Sequence, residues 1–142
     1  MIFCEYCFKD EEISSMIHST PSSTTGVCPI CRHKNAHLYD TDLQHNLTPY
    51  FEDLLNIYTP SNLLPDTYPR AETHSLIDDL KERWNIFEDI SRTQIYEILK
   101  SICSEFYTTS PYIFEGTVGI PELYDSTYLK DHALLKNNDW DA

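Results

Sequence analysis

Cys4-Glu5-Tyr6-Cys7 and Cys28-Pro29-Ile30-Cys31 form two Cys-x-x-Cys pairs near the start of the chain, separated by one short insert. Each pair places two sulfurs on one tight turn, and two such turns facing each other complete a tetrahedron. Zinc takes four ligands at closed structural sites and binds thiolate sulfur at about 2.3 Å. The spacing matches zinc ribbons and treble clefs, whose two knuckles are held apart by a loop. A disulfide frame or a pair of surface redox motifs fits less well, because the chain has five cysteines. That odd count suits four ligands plus one buried thiol, Cys103. Cys4, Cys7, Cys28 and Cys31 are therefore the candidate metal ligands, with zinc the expected ion. His33 or His37 could replace one of them, but four thiolates already suffice.

The formal charge is -13, with 23 acidic residues against 10 Lys and Arg. Such a surface repels phosphate backbones, which argues against general nucleic-acid binding. A closed four-thiolate site adds to the deficit, since four sulfur charges exceed the two of the metal. The one local exception is Arg32-His33-Lys34, just after the second pair, where cations would neutralise the metal site. Met1-Ile2-Phe3-Cys4 lacks the basic start and apolar run of a secretory signal. No window is apolar for long enough to span a bilayer. With the cysteine usage, this gives a cytoplasmic, reducing location as the expectation.

Further along, Ser14 to Gly26 is rich in Ser and Thr and reads as a loop between the metal turns. Asn35 to Tyr39 reads as a short strand. Thr41-Asp42-Leu43-Gln44 has the form of a capping box. Thr48-Pro49 suits a fresh helix start, followed by Tyr50, Phe51, Leu54, Leu55 and Tyr58 on one face. Pro60, Pro65 and Pro69 interrupt regular structure. A third helix is expected over about 74–86, with Leu76, Ile77, Leu80 and Trp84 as its apolar stripe and Asp78 and Asp79 on the wet side. Ser91-Arg92-Thr93-Gln94 is a second capping box, opening a helix with Ile95, Ile98, Leu99, Ile102 and Phe106 at i, i+3, i+4. Cys103 borders that stripe and behaves as a small hydrophobe. Tyr112-Ile113-Phe114 and Thr117 to Ile120 suit two short strands or extended coil, and a short helix is expected around 126–135. Trp140, so near the last residue, wants something to pack on.

Three glycines in 142 residues, with ten Tyr, six Phe and two Trp, favour helices around an aromatic core over a large sheet with many tight turns. The expected fold is mainly α, helix-dominated, with a small zinc-ribbon or treble-clef-like β element at the N-terminus. The zinc-knuckle subdomain is expected over 1–40 and a helical subdomain packed against it over 41–142.

Several strings together carry a resemblance. They are Cys28-Pro29-Ile30-Cys31 leading into Leu38-Tyr39-Asp40-Thr41, Tyr50-Phe51-Glu52-Asp53-Leu54-Leu55-Asn56-Ile57-Tyr58, Trp84-Asn85-Ile86-Phe87, Ile98-Leu99-Lys100-Ser101-Ile102-Cys103, and Asp139-Trp140. The set resembles the HEPN/RES N-terminal domain, found ahead of RES domains in bacterial proteins. In that family the RES domain is catalytic, associated with NAD-degrading or ADP-ribosylating toxins and often with an antitoxin partner. The resemblance implies an accessory module of a toxin or defence protein, one that ends where the catalytic domain would begin and carries no active site of its own.

The first functional expectation is thus a non-catalytic, zinc-stabilised module that docks onto a catalytic domain or regulatory partner. The second is an enzyme component that cleaves RNA or NAD. HEPN ribonucleases resemble one another in an Arg-x4–6-His motif on a helix, and Arg32 with His37 has that spacing. Their position beside the knuckle in an expected strand is unfavourable. The third is an acidic decoy for a basic nucleic-acid-binding site, motivated by the charge alone. The paired carboxylates Asp78/Asp79, Glu88/Asp89 and Asp10-Glu11-Glu12 read as solvated faces, and no glycine-rich phosphate loop is present.

Overall fold

The computed structural model describes residues 1–20 and 24–121. Among the described residues, two small three-stranded antiparallel sheets and six short helices share one hydrophobic core. Helix takes 46% and strand 17% of the residues described. The expected helix-dominated fold with β structure only at the N-terminus is therefore corrected to a mixed α+β fold.

The first sheet is built from β1 (Ile2–Cys4), β2 (Thr24–Gly26) and β3 (Ala36–Asp40), in the order β1-β3-β2. Phe3 pairs with Tyr39 and Cys4 with Leu38, while Thr25 pairs with His37. The register stacks the buried rings of Phe3 and Tyr39 at 5.3 Å. Between β1 and β2 the chain forms a 3-10 turn, Glu5–Cys7, and then α1 (Glu11–His18). Asp10 caps α1: its Oδ1 accepts from the backbone N–H groups of Glu12 and Ile13, satisfying two orphan donors of the first turn. Ile13 and Ile17, four apart, are fully buried. The segment expected as a Ser/Thr loop thus holds the end of α1 and strand β2.

Thr41 to Gln44 forms a turn and no helix. Gln44 Oε1 instead accepts from Asp40 N at 2.7 Å. Helix α2 (Thr48–Leu55) has Pro49 in its first turn, where a missing N–H costs nothing. The expected cap at Thr48 is not made, because its hydroxyl donates to Ile102 O at 2.8 Å.

The second sheet joins β4 (Thr59–Pro60), β5 (His74–Ser75) and β6 (Thr117–Gly119), in the order β4-β6-β5. Pro60 lies on an edge strand, where a lost donor is tolerated. Gly119 is required by close approach: a Cβ there would sit 2.5 Å from Tyr68 Oη, the buried hydroxyl that accepts from Ile120 N.

Helix α3 (Leu76–Glu82) is shorter than expected and is capped by Ser75. Beyond it Asn85 turns with φ 50°, and Trp84 is 43% exposed, outside the apolar stripe. Asp79 is buried, contrary to its expected place on the wet side. It accepts from Tyr58 Oη and from Arg83 Nε, while Trp84 Nε1 donates to Tyr58 Oη at 2.8 Å. Asp78 pairs with Arg92 across to the next helix.

Helix α4 (Arg92–Ile102) follows the sequence closely. Both arms of the Ser91/Gln94 capping box are formed, and Ile95, Ile98, Leu99 and Ile102 are buried. Ser91→Ala is expected to cost about 1 kcal/mol, read as a lowered urea midpoint with unchanged slope. The helix ends at Cys103, after which α5 (Ser104–Thr109) carries Phe106 and α6 (Tyr112–Glu115) places Phe114 against it at 6.3 Å. Tyr112 to Phe114 is therefore helix where a strand was an open choice. The expected helix at 126–135 and Trp140 lie outside the described residues. Cys103 is 1% exposed, and burial followed by the charge of Glu52 pushes its thiol up to about 12. In native protein at neutral pH, Cys103 should resist alkylation, and full labelling should require denaturant. Peptide mass mapping after a timed iodoacetamide pulse checks this.

No helix among the described residues is long and apolar enough to cross a membrane.

Candidate metal centre

Strand β1 delivers Cys4 to the 3-10 turn, and that turn closes on Cys7. Cys4 Sγ accepts from Tyr6 N at 3.3 Å, and Cys28 Sγ accepts from Ile30 N at 3.4 Å. The second turn is held by Arg32 N donating to Cys28 O and Cys28 N donating to His33 O. Its reversal requires positive φ at two residues other than glycine, Arg32 at 67° and Asn35 at 55°. Asn tolerates that region and Arg does so with strain. The knuckles therefore have the amide-to-sulfur bonding that stabilises thiolate.

The four sulfurs gather at one point, all within 4.8 Å of one another. Cys4 Sγ lies 3.3 Å from Cys31 Sγ, and Cys7 Sγ lies 3.7 Å from Cys28 Sγ. A disulfide would bring a pair to about 2.05 Å, and all five cysteines are free. A tetrahedral ion with sulfur bonds of about 2.3 Å needs edges of roughly 3.8 Å, close to these separations. Cys4, Cys7 and Cys28 are fully buried and Cys31 is half-buried.

The electrostatics point the same way. Hydrogen bonding with Cys28 pushes the Cys4 and Cys7 thiols up. Cys28 is correspondingly driven down by the bonds it accepts from Cys4 and Cys7. Thiolates packed at this spacing would repel one another. A cation between them would remove that repulsion, so the four residues fit a metal ion.

The two histidines considered as substitute ligands stand elsewhere. His33 is exposed, with its ring stacked on Tyr6 at 4.3 Å and its Nδ1 3.9 Å from Cys31 Sγ. With Arg32 and Lys34 it lies on the exposed rim, as suits cations beside an anionic centre. His37 faces the other way, toward Glu5. The Arg32/His37 pair is split between an exposed turn and strand β3, so the helical setting of an Arg-x4–6-His site is absent.

A second cluster went unseen in the sequence. Glu5, His18 and His37 also bring their ligand atoms within 4.8 Å of one another. Glu5 comes from the first knuckle, His18 from the end of α1 and His37 from β3. These positions share no local motif, and only the fold of α1 against the sheet unites them. Glu5 and His18 border a cavity of about 740 Å3 whose wall also includes Cys31, His33, Glu88 and Gln94.

No protein-family model matches the chain, and neither do curated proteins or solved structures.

Proposed function

We propose that this chain is a zinc-stabilised, non-catalytic accessory module that acts by docking onto a protein partner. The single observation that carries the reading is the closed set of four sulfurs, which leaves a tetrahedral ion no free position for a substrate. Zinc suits an all-thiolate tetrahedron, as do iron–sulfur centres, and zinc is the choice because a single ion fills the space between two knuckles. The acidic surface supports a protein partner with basic character over a nucleic acid. The resemblance to the HEPN/RES N-terminal domain supplies the class of that partner, a RES-type catalytic domain of a bacterial toxin or defence system, and with it a cytoplasmic setting.

Three measurements on the purified chain test the reading. Elemental analysis should find zinc, released in step with thiol modification. Incubation with NAD or with RNA should give no turnover. Mixing with a RES-type domain should give a complex on size exclusion that weakens as salt rises. Turnover of either substrate by the chain alone would replace the accessory role with an enzymatic one, and a metal-free, fully folded sample would remove the zinc.

A further inference from the structure

We infer that Glu5, His18 and His37 form a second metal site, distinct from the four cysteines and open toward the neighbouring cavity. It would take a divalent first-row transition ion of the kind that accepts imidazole together with carboxylate. This goes beyond the accessory role proposed above, which requires only the thiolate centre.

Three observations carry the inference. First, the spacing is that of ligands around one ion. Glu5 Oε2 lies 3.0 Å from His18 Nδ1 and 3.2 Å from His37 Nδ1. Bonds of about 2.0–2.1 Å to nitrogen and oxygen would set ligand atoms roughly 3.3 Å apart around a tetrahedral ion. The two imidazole rings lie 4.0 Å apart, centroid to centroid, so both nitrogens converge on the same carboxylate.

Second, hydrogen bonding leaves the cluster incomplete. His18 Nδ1 makes its hydrogen bond to Glu5. His37 Nδ1 is buried and has no hydrogen-bond partner, although it lies so near the same oxygen. The ring is not aimed for an N–H to oxygen bond. A buried polar atom without a partner costs about 1–3 kcal/mol, and an ion shared with Glu5 would satisfy it. The Glu5 carboxylate, 8% exposed, is likewise an expensive charge to bury without a full set of partners.

Third, the environment suits a ligand set with room to spare. Three protein ligands leave at least one coordination position for water or a small molecule. Glu5 and His18 both line the 740 Å3 cavity, placing that position beside a volume large enough for a small carbonyl-bearing ligand. Two carboxylate, two imidazole ligation with open positions is not offered here; one carboxylate and two imidazoles is, a set that suits iron(II), cobalt(II) or zinc(II). Glu5 lies between Cys4 and Cys7, so filling the thiolate centre would fix the turn that presents it.

The test uses the full chain with its thiols reduced, titrated with Co2+ and, separately, Zn2+, and read by native mass spectrometry and absorption. Cobalt in four thiolates absorbs strongly through sulfur-to-metal charge transfer, whereas cobalt on Glu and His gives only weak bands. The expected result is two ions per chain, the second adding no sulfur absorption. His18→Ala alters an exposed side chain and should leave the fold intact. That variant and Glu5→Gln should each lose the second ion and keep the full charge-transfer spectrum. One ion per chain with a complete sulfur spectrum would overturn the inference, as would a second ion held undiminished by both variants. A chain that binds an ion through Glu and His while showing no sulfur absorption would overturn the thiolate reading instead and leave this one standing.

Discussion

Cys7→Ser is expected to abolish metal binding and unfold the N-terminal sheet, the largest single effect available in this chain. Cys7 is fully buried, and its sulfur lies between Cys4 and Cys28. Serine there offers a poor ligand and a buried hydroxyl in its place. Structural zinc in small knuckles contributes apparent binding energies of about 10–16 kcal/mol at neutral pH, whereas a whole domain of this size is stable by only about 5–15 kcal/mol. Removing the ion should therefore exceed the reserve of the knuckle region. Backbone bonds spread the damage: Glu88 N donates to Cys7 O, and Lys9 N donates to Ile86 O at 2.7 Å. Circular dichroism and proton spectra should show lost β1 and β3 order, and a strong chelator should reproduce the change in the native chain. Cys103→Ala is the control. It removes a buried thiol at the end of α4, outside the four-cysteine cluster, so it should retain the metal and cost about 1 kcal/mol as a small cavity. If Cys7→Ser melts like the native protein, the metal is not what holds the knuckles together.

The parts of this outcome that could be read from sequence are those with short-range causes. The four cysteines were legible because each pair fixes its own turn and thiolate chemistry then demands the other pair. Helix α4 was legible because Ser91 and Gln94 bond each other's backbone within one turn, and Ile95, Ile98, Leu99 and Ile102 repeat at helical spacing. Helix α1 was hidden because only Ile13 and Ile17 are fully buried within a run of serines and acids, too few to show a period. Strands β4 and β5 are two residues each, too short for any alternation, and exist because β6 pairs with both. Asp79 resembled a surface acid because Tyr58, whose hydroxyl it accepts from, arrives from another segment. The cluster of Glu5, His18 and His37 depends on where α1 lands on the first sheet, which no local pattern encodes.

Phe8→Ala is expected to lower stability by about 3–5 kcal/mol, the usual cost of deleting a buried aromatic, while leaving the thiolate centre able to bind its ion. Phe8 follows the last ligand of the first knuckle and is 4% exposed. Its ring packs against Phe3 at 5.6 Å, Phe51 at 6.3 Å and Phe87 at 5.2 Å. Those three partners come from the first sheet, from α2 and from the segment before α4, so one side chain joins the metal-bearing half to the helices. Aromatic pairs in such geometries contribute about 0.5–1.5 kcal/mol each beyond their buried area, which places the loss toward the upper end of the range. Thermal melting should move down by roughly 10–20 °C, given shifts of about 4 °C per kcal/mol for a domain of this size. Phe8→Leu retains most of the volume and should cost much less, and Leu43→Ala, at a side chain 77% exposed, should lie within about 0.5 kcal/mol of native. Cobalt absorption recorded on the Phe8→Ala protein below its melting point should match the native spectrum. A Phe8→Ala protein that melts at the native temperature would show that the knuckle and the helices are joined by other contacts. Loss of the cobalt spectrum in the still-folded variant would show instead that the aromatic hub positions the sulfurs, and that metal and core act as one unit.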